Sequence, residues 1–529
     1  MSRSPEGKKE NSFSNPLFLL FLMAMLVRGV VLFASLDSFN ADPDAYLKLA
    51  ENWYSYGVFG ERNTATAFRP PLYPATLKGL VSLRERSERP TIGRTGINEQ
   101  QFGPRRSESA NRIADFFNDN VALSRNASIA LLHWILGVAT ALFVWLYARR
   151  VGLSPGLAFF AGLLVVIDPI LLHQSRLVMT ETFAAFFAAL LLISTVVCVG
   201  KRTSRSSFIR YTLVGALYGL AALCRPAFYL FMGLAFVNLF MIEIAAFAKR
   251  VRERKSLAQP RGGDASTLYG GFFRLLCFLV GCALVVGPWG IRNNKEFGKP
   301  ILATTHGGYT LYLANNPELY QFYQTSPPFS LWDPEEFHSR SGRDYNEAVA
   351  QTDVRRGSKE EELFKNDWYR KEAIETIRSN KETFLYSCAV RVGEFWRFLP
   401  NDVRPDVESQ GRVKKSIAGV STEKLYDRGR HAVAIFYLHE FGFALLGCLA
   451  LCGRRRKTED DASKTSSFFE SPLLWGFILI ISVQIPHLFF WTNMRMRAPV
   501  EVFLPILAML GLGMFRYIRS CKKTAKSSK

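Results

Sequence analysis

The sequence predicts an all-α polytopic membrane protein, with about ten transmembrane helices, interfacial helices and an extracytoplasmic α or α+β domain. One observation behind this fold class is that hydrophobic residues make up 49% of the 529 residues and come in blocks. A second is that ten of these blocks approach the roughly 20 apolar residues that a helix needs to cross a bilayer. The third is that basic residues cluster at alternate ends of the blocks.

The ten predicted spans lie near residues 16–36, 128–148, 157–173, 177–199, 209–224, 228–247, 271–290, 432–452, 472–491 and 500–516. The first is predicted to be a retained anchor, because it lacks a clear small-residue cleavage site and is longer than the apolar region of a usual signal peptide. The stretch LYPATLKGLVSL is too short to span, and counting it as a span would reverse every later loop. It is therefore predicted to be a juxtamembrane helix.

Lys and Arg outnumber Asp and Glu by 66 to 45, and the position of the excess matters more than its size. Basic clusters abut span ends on one side if the ten spans alternate, namely at 148–150, 201–207, 248–255 and 453–457. This pattern predicts a multi-pass protein of the plasma (inner) membrane with both termini in the cytoplasm. Because membrane topology accounts for the basic excess, no nucleic-acid partner is expected.

This topology divides the chain into five parts. They are a cytoplasmic tail (1–15), a membrane module of seven spans (16–290) with an acidic first outer loop (37–127), an extracytoplasmic domain (291–431), three C-terminal spans (432–516) and a basic cytoplasmic tail (517–529). Within the first outer loop, residues 84–127 are charged and lack an apolar period, which predicts a mobile insertion.

The stretch FNADPDAYLKLAENWYSYG places two aspartates just after the first span. Asp42 is predicted to be an N-cap, Pro43 suits the first helical position, and Gly57 ends an amphipathic interfacial helix. Asp44 then complements the helix dipole. Alternatively, Asp42 and Asp44 share a divalent cation or supply a general base. The stretch alone leaves both interpretations open.

Two further charged residues lie near predicted span ends. Arg69 precedes two prolines, which stiffen the chain and can hold its side chain in a fixed direction, although a solvated arginine in a rigid turn explains it equally well. Glu181 begins the fourth span, where an ionisable group usually faces the bundle interior or a water-filled cavity. The alternative is a plain helix start in which Thr180 or Thr182 acts as the cap.

Four arginines at predicted outer span ends oppose the charge bias, namely Arg225, Arg292, Arg495 and Arg497. Snorkelling to lipid phosphate is one explanation. The other is a phosphate-bearing substrate, since arginine offers a permanent charge and forked donors to phosphate oxygens. Tyr309, in the stretch HGGYTLYLANNP, could contact sugar hydroxyls or belong to an ordinary turn.

Taken in order, these motifs resemble those of integral-membrane C-type glycosyltransferases. The nearest branch is the dolichyl-phosphate-mannose protein mannosyltransferase-like one, which includes the lipid A aminoarabinose transferases. DPDAYLKLA is similar to the acidic first-loop motif, RPPLYP follows it, and TETFAAFF resembles the second acidic site. CRP, PWGIRNNKEFG and RMRAPVEVFLP then come in the expected order.

The resemblance implies a polyprenyl-phosphate sugar donor and transfer, with inversion, to a protein, lipid or glycan acceptor on the extracytoplasmic face. Asp42 would be the general base or would orient the acceptor, with Asp44 assisting. Glu181 would be the second acidic group. A divalent cation held by Asp42 and Asp44 is left open, since members of the superfamily differ in needing one.

The resemblance also implies how the leaving polyprenyl phosphate would be stabilised, by Arg292 together with Arg225, Arg495 or Arg497. Arg69 and Tyr309 complete the predicted substrate-binding set. The main rival hypothesis is a transporter or flippase for a lipid-linked or phosphate-bearing substrate. That rival predicts functional charge near the bilayer midplane and often repeated halves, whereas the charges singled out here lie at outer span ends.

Overall fold

The computed structural model describes residues 15–87, 108–202, 204, 206–257, 264–327, 330–400, 416–417, 420–456 and 468–527. Some of the predicted parts lie outside these residues. They are nearly all of the cytoplasmic tail 1–15, residues 88–107 of the predicted mobile insertion, and residues 401–415 and 418–419 of the predicted extracytoplasmic domain.

The described chain folds almost entirely into helices, which confirms the predicted all-α class. The helices are α1 (Pro16–Phe33), α2 (Tyr46–Tyr56), α3 (Leu72–Ser87), α4 (Glu108–Val151), α5 (Pro155–Ile167), α6 (Pro169–Ser175), α7 (Glu181–Gly200), α8 (Ser207–Cys224), α9 (Ala227–Leu257), α10 (Asp264–Phe297), α11 (Gly307–Ala314), α12 (Pro317–Thr325), α13 (Glu335–Ala350), α14 (Lys359–Ser379), α15 (Lys381–Phe395), α16 (Thr422–Arg456), α17 (Pro472–Gln484) and α18 (Leu504–Ser527). Three 3-10 helices join them, at Leu36–Asn40, Pro486–Leu488 and Met494–Arg497.

The strands of the described chain form two short antiparallel hairpins. In the first hairpin β1 (Gly60–Glu61) pairs with β2 (Thr64–Ala65), and in the second β3 (Ser416–Ile417) pairs with β4 (Val420–Ser421). Each strand has two residues, so the hairpins shape loops and build no sheet layer.

Seven helices of the described chain are long and apolar enough to cross a membrane, so the protein is an integral multi-pass membrane protein. The pair α5 and α6, bent by 46° at its break, makes an eighth candidate if it counts as one span. The last two predicted spans correspond to shorter apolar helices, Pro472–Leu488 and Leu504–Phe515. The count of ten spans therefore stays a prediction.

Several helices begin at a polar residue followed by proline. At the break between α5 and α6, Asp168 accepts a hydrogen bond from the backbone N–H of Leu171 at 2.7 Å, and Pro169 occupies the first helical position. Proline suits that position because its missing N–H would have no partner there. The same arrangement starts α1, α5 and α12, with Asn15, Ser154 and Asn316 as caps.

Helices α8 and α10 pack closely because glycines face each other across the contact. A Cβ atom on Gly215 would lie 2.0 Å from the carbonyl oxygen of Phe278, and one on Gly281 would lie 2.0 Å from that of Thr212. Small residues let helix backbones approach in a membrane, where van der Waals contact replaces the hydrophobic effect as the main attraction. Gly215 and Gly281 therefore set the spacing of this helix pair.

Helices α11 to α15, in the segment predicted to be extracytoplasmic, have an aromatic core of their own. Tyr312, Phe337, Tyr369 and Ala373 are buried together there. Arg391 on α15 fastens this group of helices to the C-terminal part of the chain, because it donates to the carbonyl oxygens of Leu488 and Ala314 at 2.8 and 2.7 Å.

The contact between α8 and α10 yields a stability prediction. We expect Gly215→Ala to lower the melting temperature of the detergent-solubilised protein, since overpacking a close contact costs about 1–3 kcal/mol. Gly233→Ala on α9 is the matched control, because a Cβ atom there would meet no atom within 4 Å. Equal melting temperatures for the two variants would contradict the proposed role of Gly215.

Candidate functional site

Asp42 lies in a tight turn that precedes α2, and the helix starts later than the sequence predicts. The N–H of Ala45 donates to the carbonyl oxygen of Asp42 at 3.1 Å, and Ala45 adopts a left-handed backbone with φ of 58°. Helix α2 therefore begins at Tyr46, and the prediction that Asp42 is its N-cap with Pro43 at the first helical position is wrong. Asp42 still faces the start of the helix, since its Oδ2 accepts from the N–H of Lys48 at 2.9 Å.

The environment of Asp42 favours a carboxyl group that can exchange a proton. Burial raises its pKa above the ordinary value, and the nearby charge of Asp44 acts in the same direction. Backbone hydrogen bonds at the start of α2 act in the opposite direction, which limits the rise. The Oδ1 atom of Asp42 is buried and has no hydrogen-bond partner. One oxygen is thus held by the helix while the other has no hydrogen-bond partner.

Asp44 has a different environment, because it is bound to Arg69. Arg69 donates from Nη2 to the Asp44 carboxylate at 2.9 Å and from Nε to the Asp44 backbone carbonyl at 3.0 Å. The Arg69 guanidinium also lies over the ring of Tyr46 at 5.4 Å. The structure therefore brings these two predicted site residues together, and Asp44 holds the Arg69 side chain in one direction.

Glu181, at the start of α7, is buried and lies between two of the predicted arginines. Its Oε1 is 3.4 Å from Nη1 of Arg225 and 3.9 Å from Nε of Arg495. Neither approach has hydrogen-bond geometry, and Oε2 of Glu181 has no partner at all. We call Glu181, Arg225 and Arg495 the Glu181 cluster. It joins residues from the N-terminal and C-terminal membrane parts.

The guanidinium groups of the Glu181 cluster have weak partners elsewhere. Arg225 donates from Nη2 to the sulfur of Met496 at 2.7 Å, and Arg495 donates from Nη1 to the sulfur of Met179 at 3.2 Å. A thioether is a weak acceptor, and Nη1 of Arg225 and Nε of Arg495 have no hydrogen-bond partner. The cluster thus offers donors that a stronger acceptor, such as a phosphate oxygen, could take.

Tyr73, from the RPPLYP motif, connects the two acidic positions electrostatically. Burial raises the pKa of Tyr73, and the charges of Asp42 and Glu181 both raise it further. Its hydroxyl lies 3.0 Å from Nε2 of His133, whose Nδ1 lies 2.7 Å from a backbone carbonyl oxygen. Since a carbonyl can only accept, Nδ1 carries the proton and Tyr73 donates to Nε2. Asp42 and Glu181 therefore both act electrostatically on the same buried tyrosine.

Arg292 lies in another environment from the Glu181 cluster. It donates from Nη1 to the carbonyl oxygen of Thr66 at 2.7 Å and from Nη2 to that of Phe59 at 2.9 Å. The rings of Phe59, Trp289 and Phe297 surround its guanidinium. These contacts fix the β1–β2 hairpin against the end of α10.

Tyr309 lies among aromatic rings. Its ring stacks on His306 at 5.4 Å, and His306 in turn meets the ring of Phe68 at 4.3 Å. The pKa of His306 is lowered to about 3 by burial and by the charge of Arg69, so the imidazole is neutral at pH 7. His306 thus interacts electrostatically with Arg69, although sequence analysis singled out only the tyrosine.

Arg497 is fully buried and pairs with Glu501, whereas Arg495 lies at the Glu181 cluster. The Arg497 guanidinium stacks on the ring of Tyr437 at 4.3 Å and donates to the carbonyl oxygen of Phe395 at 3.0 Å. Glu501 belongs to a group of three carboxylates, with Asp168 and Glu440, that sequence analysis missed. A signal was available, because each of the three lies within a predicted span, where ionisable residues are expensive.

Comparison with known proteins bears on the membrane part of this site. Residues 116–291, about a third of the chain, match the model of the dolichyl-phosphate-mannose-protein mannosyltransferase family. This part of the chain is mannosyltransferase-like. The predicted resemblance is thus confirmed, and the matched part contains Glu181 and Arg225. No curated protein matches the sequence.

Among solved structures, the chain is similar to the archaeal oligosaccharyltransferase AglB from Archaeoglobus fulgidus. The complex of AglB with an inhibitory peptide and a dolichol-phosphate has 13% sequence identity and a TM-score of 0.46, covering 97% of this chain and 52% of AglB. The apo form of the same enzyme gives 14% identity and a TM-score of 0.46, covering 98% of this chain and 53% of that one. The chain spans about half the length of these proteins.

A cation shared by the two aspartates that precede the mannosyltransferase-like part stays a prediction. Oδ1 of Asp44 accepts from Arg69, whereas Oδ1 of Asp42 has no hydrogen-bond partner. Within the described ranges, the one group of three or more closely spaced metal-ligating side chains is Asp168, Glu440 and Glu501.

The bond between Arg69 and Asp44 yields a second prediction. We expect Arg69→Lys to destabilise the protein by about 1 to 2 kcal/mol, because lysine keeps the charge and cannot reproduce the forked bond to the carboxylate and the backbone. The change in melting temperature measures this cost.

The control for Arg69→Lys is Lys48→Met, which removes the neighbouring but exposed pair of Lys48 with Glu61. Exposed pairs contribute about 0.2–1 kcal/mol, so this control should change the melting temperature less. A larger effect of Lys48→Met than of Arg69→Lys would contradict the assignment.

Proposed function

We propose that this protein is a membrane glycosyltransferase that moves a sugar from a polyprenyl-phosphate donor to an acceptor on the extracytoplasmic face. The observation that carries the proposal is the Glu181 cluster, in which two guanidinium groups keep unpartnered donors beside a buried carboxylate. The family match supports the same class of donor, because dolichyl-phosphate-mannose is a sugar linked to a polyprenyl phosphate.

The proposed reaction is a direct displacement at the anomeric carbon. A hydroxyl or amine of the acceptor forms the new bond to this carbon while the bond to the phosphate oxygen breaks, which inverts the anomeric centre. The proton of the acceptor goes to the free Oδ1 of Asp42, and the polyprenyl phosphate leaves with the electron pair. A protein, lipid or glycan acceptor would enter from the side of the first loop.

The arginines of the Glu181 cluster act on the leaving group in this proposal. Negative charge grows on the departing phosphate, and donors that already point at it stabilise the transition state without reorganising. Arg225 and Arg495 can exchange their weak sulfur contacts for phosphate oxygens. Glu181 keeps the two guanidinium groups close together before the donor arrives.

Three residues that sequence analysis placed in the substrate-binding set have a less direct role in this proposal. They are Arg292, Arg497 and Tyr309. Arg292 and Arg497 are held by backbone carbonyls and aromatic rings. We propose that they shape the site, and that Arg69 fixes the turn that carries Asp42. Tyr309 and His306 would line the approach of the acceptor beside Arg69.

The first test compares membranes that carry the wild type, Asp42→Asn or Lys48→Met, supplied with a panel of radiolabelled polyprenyl-phosphate sugars. We expect Asp42→Asn to lower label transfer by about 10²- to 10⁴-fold, as loss of a general base does. Lys48→Met, at an exposed position on the helix α2 that follows Asp42, should keep transfer near the wild-type level. If no sugar is transferred and the intact lipid-linked sugar moves between leaflets instead, the rival transporter or flippase is correct.

The Glu181 cluster gives a separate prediction for the same assay. We expect Arg225→Lys and Arg495→Lys each to lower the transfer rate by about 10²- to 10³-fold, as loss of one transition-state donor does. Arg210→Lys is a matched control, since Arg210 lies near the opposite end of α8 and donates to Lys201 and Ser206. Full activity of both Arg225→Lys and Arg495→Lys would contradict the assigned role.

The raised pKa of Asp42 predicts the acid limb of the pH profile. A base must be ionised, so the rate falls as pH decreases through the pKa of Asp42, which lies above 3.8. Asp44→Asn removes a neighbouring negative charge that raises this pKa. The acid limb of Asp44→Asn should therefore move to lower pH, and an unchanged limb would argue against Asp42 as the base.

A further inference from the structure

Three carboxylates from distant parts of the chain meet inside the membrane part of the fold. Asp168 comes from the break between α5 and α6, Glu440 from within α16, and Glu501 from the segment between the 3-10 helix Met494–Arg497 and α18. Their exposed fractions are 2%, 4% and 0%, and one oxygen of each lies within 4.8 Å of the others. We call these three residues the carboxylate cluster.

The hydrogen bonds of the protein leave much of this cluster unsatisfied. Asp168 accepts from the N–H of Leu171 and from the hydroxyl of Tyr437 at 3.1 Å. Glu501 accepts from Arg497 through Oε1, but its Oε2 has no partner. Both carboxylate oxygens of Glu440 are buried without any partner. Three oxygen atoms therefore point into the cluster with nothing from the protein to bind.

In the ionised state the charge of the cluster would be uncompensated by the protein. Three ionised carboxylates would face one ion-paired guanidinium, that of Arg497, which would leave a charge of two negative units. Arg28 on α1 interacts with Asp168 without forming an ion pair, so it offsets this charge only in part. Burying unpaired charge is costly, and buried carboxylates usually pair or coordinate a metal.

We propose that Asp168, Glu440 and Glu501 bind one divalent hard cation, such as Mg²⁺, Mn²⁺ or Ca²⁺. Oxygen ligands lie about 2.0–2.6 Å from such ions, so two ligands on one ion are separated by at most roughly 4 to 5 Å, which the 4.8 Å spacing allows. The donor set is all carboxylate oxygen, with no sulfur or imidazole, which favours hard cations over zinc or copper. Two positive charges would neutralise the two negative units.

The cation site is distinct from the Glu181 cluster but joined to it by the 3-10 helix Met494–Arg497. Arg495 in this helix lies beside Glu181, while Arg497, two residues later, pairs with the cation ligand Glu501. A cation that fixes Glu501 would therefore fix the direction of Arg495. The binding itself does not depend on the proposed sugar transfer, so it can be tested without any assay of that reaction.

The experiment measures Mn²⁺ binding to the purified full-length protein in detergent after treatment with EDTA. Electron paramagnetic resonance counts the bound ions in the wild type, Glu440→Gln, Asp42→Asn and Glu181→Gln. We expect Glu440→Gln to lose one Mn²⁺ per chain, with binding there weaker by more than about 100-fold, because even changes around a metal ligand cost about 10- to 100-fold. Asp42→Asn and Glu181→Gln should keep that ion.

A second measurement, the melting temperature, distinguishes loss of the ion from misfolding of the variant. Glutamine has the shape of glutamate without its charge, so Glu440→Gln in EDTA should melt at or above the temperature of the EDTA-treated wild type. Mn²⁺ should raise the melting temperature of the wild type and not that of Glu440→Gln. Equal Mn²⁺ binding in wild type and Glu440→Gln would overturn the proposal. So would a wild type that neither binds Mn²⁺ nor melts higher with it, which would mean that protons neutralise the cluster.

Discussion

The association of Glu181 with two arginines is the interaction on which the rest of the candidate site depends. A carboxylate at the start of a buried helix is costly unless positive charge compensates it. Here the compensating charge comes from Arg225, at the junction of α8 and α9, and from Arg495, more than 300 residues along the chain from Glu181. The ends of α7 and α8 and the C-terminal 3-10 helix must therefore meet at one place.

The cost of leaving a buried charge without a partner also explains why the arginines of this region divide into two kinds. Arg69, Arg292 and Arg497 have strong oxygen acceptors and aromatic neighbours, and only Nη2 of Arg497 among their buried nitrogen atoms has no hydrogen-bond partner. Arg225 and Arg495 have sulfur acceptors and an imperfectly aligned carboxylate. A satisfied guanidinium stabilises the fold, whereas an unsatisfied one is available to bind a ligand. The hydrogen-bond acceptors of an arginine therefore distinguish a structural residue from a ligand-binding one more clearly than its position at a span end does.

Sequence could predict those features that depend on neighbouring residues. A run of apolar residues is enough to predict a span. Aspartate followed by proline is not enough to predict a helix start, since a helix begins at Pro169 after Asp168 but not at Pro43 after Asp42. The late start of α2 could not be predicted, because it depends on the left-handed backbone of Ala45, which a non-glycine residue rarely adopts. The carboxylate cluster depends on contacts between segments hundreds of residues apart, and Glu440 gave only the hint of a charge inside an apolar run. The sequence identified the arginines at span ends, but it did not show which of them have donors without a hydrogen-bond partner.

The sulfur contacts of the Glu181 cluster have a chemical consequence. Met496 and Met179 present thioethers to Arg225 and Arg495, and a thioether is readily converted to a sulfoxide. A sulfoxide oxygen is polar and a far better acceptor than sulfur, so it would occupy the guanidinium donors that the thioether leaves available. Oxidative damage at either methionine would thus imitate a permanently bound ligand. Oxidation of either methionine would therefore close a site that the thioethers leave open to a ligand.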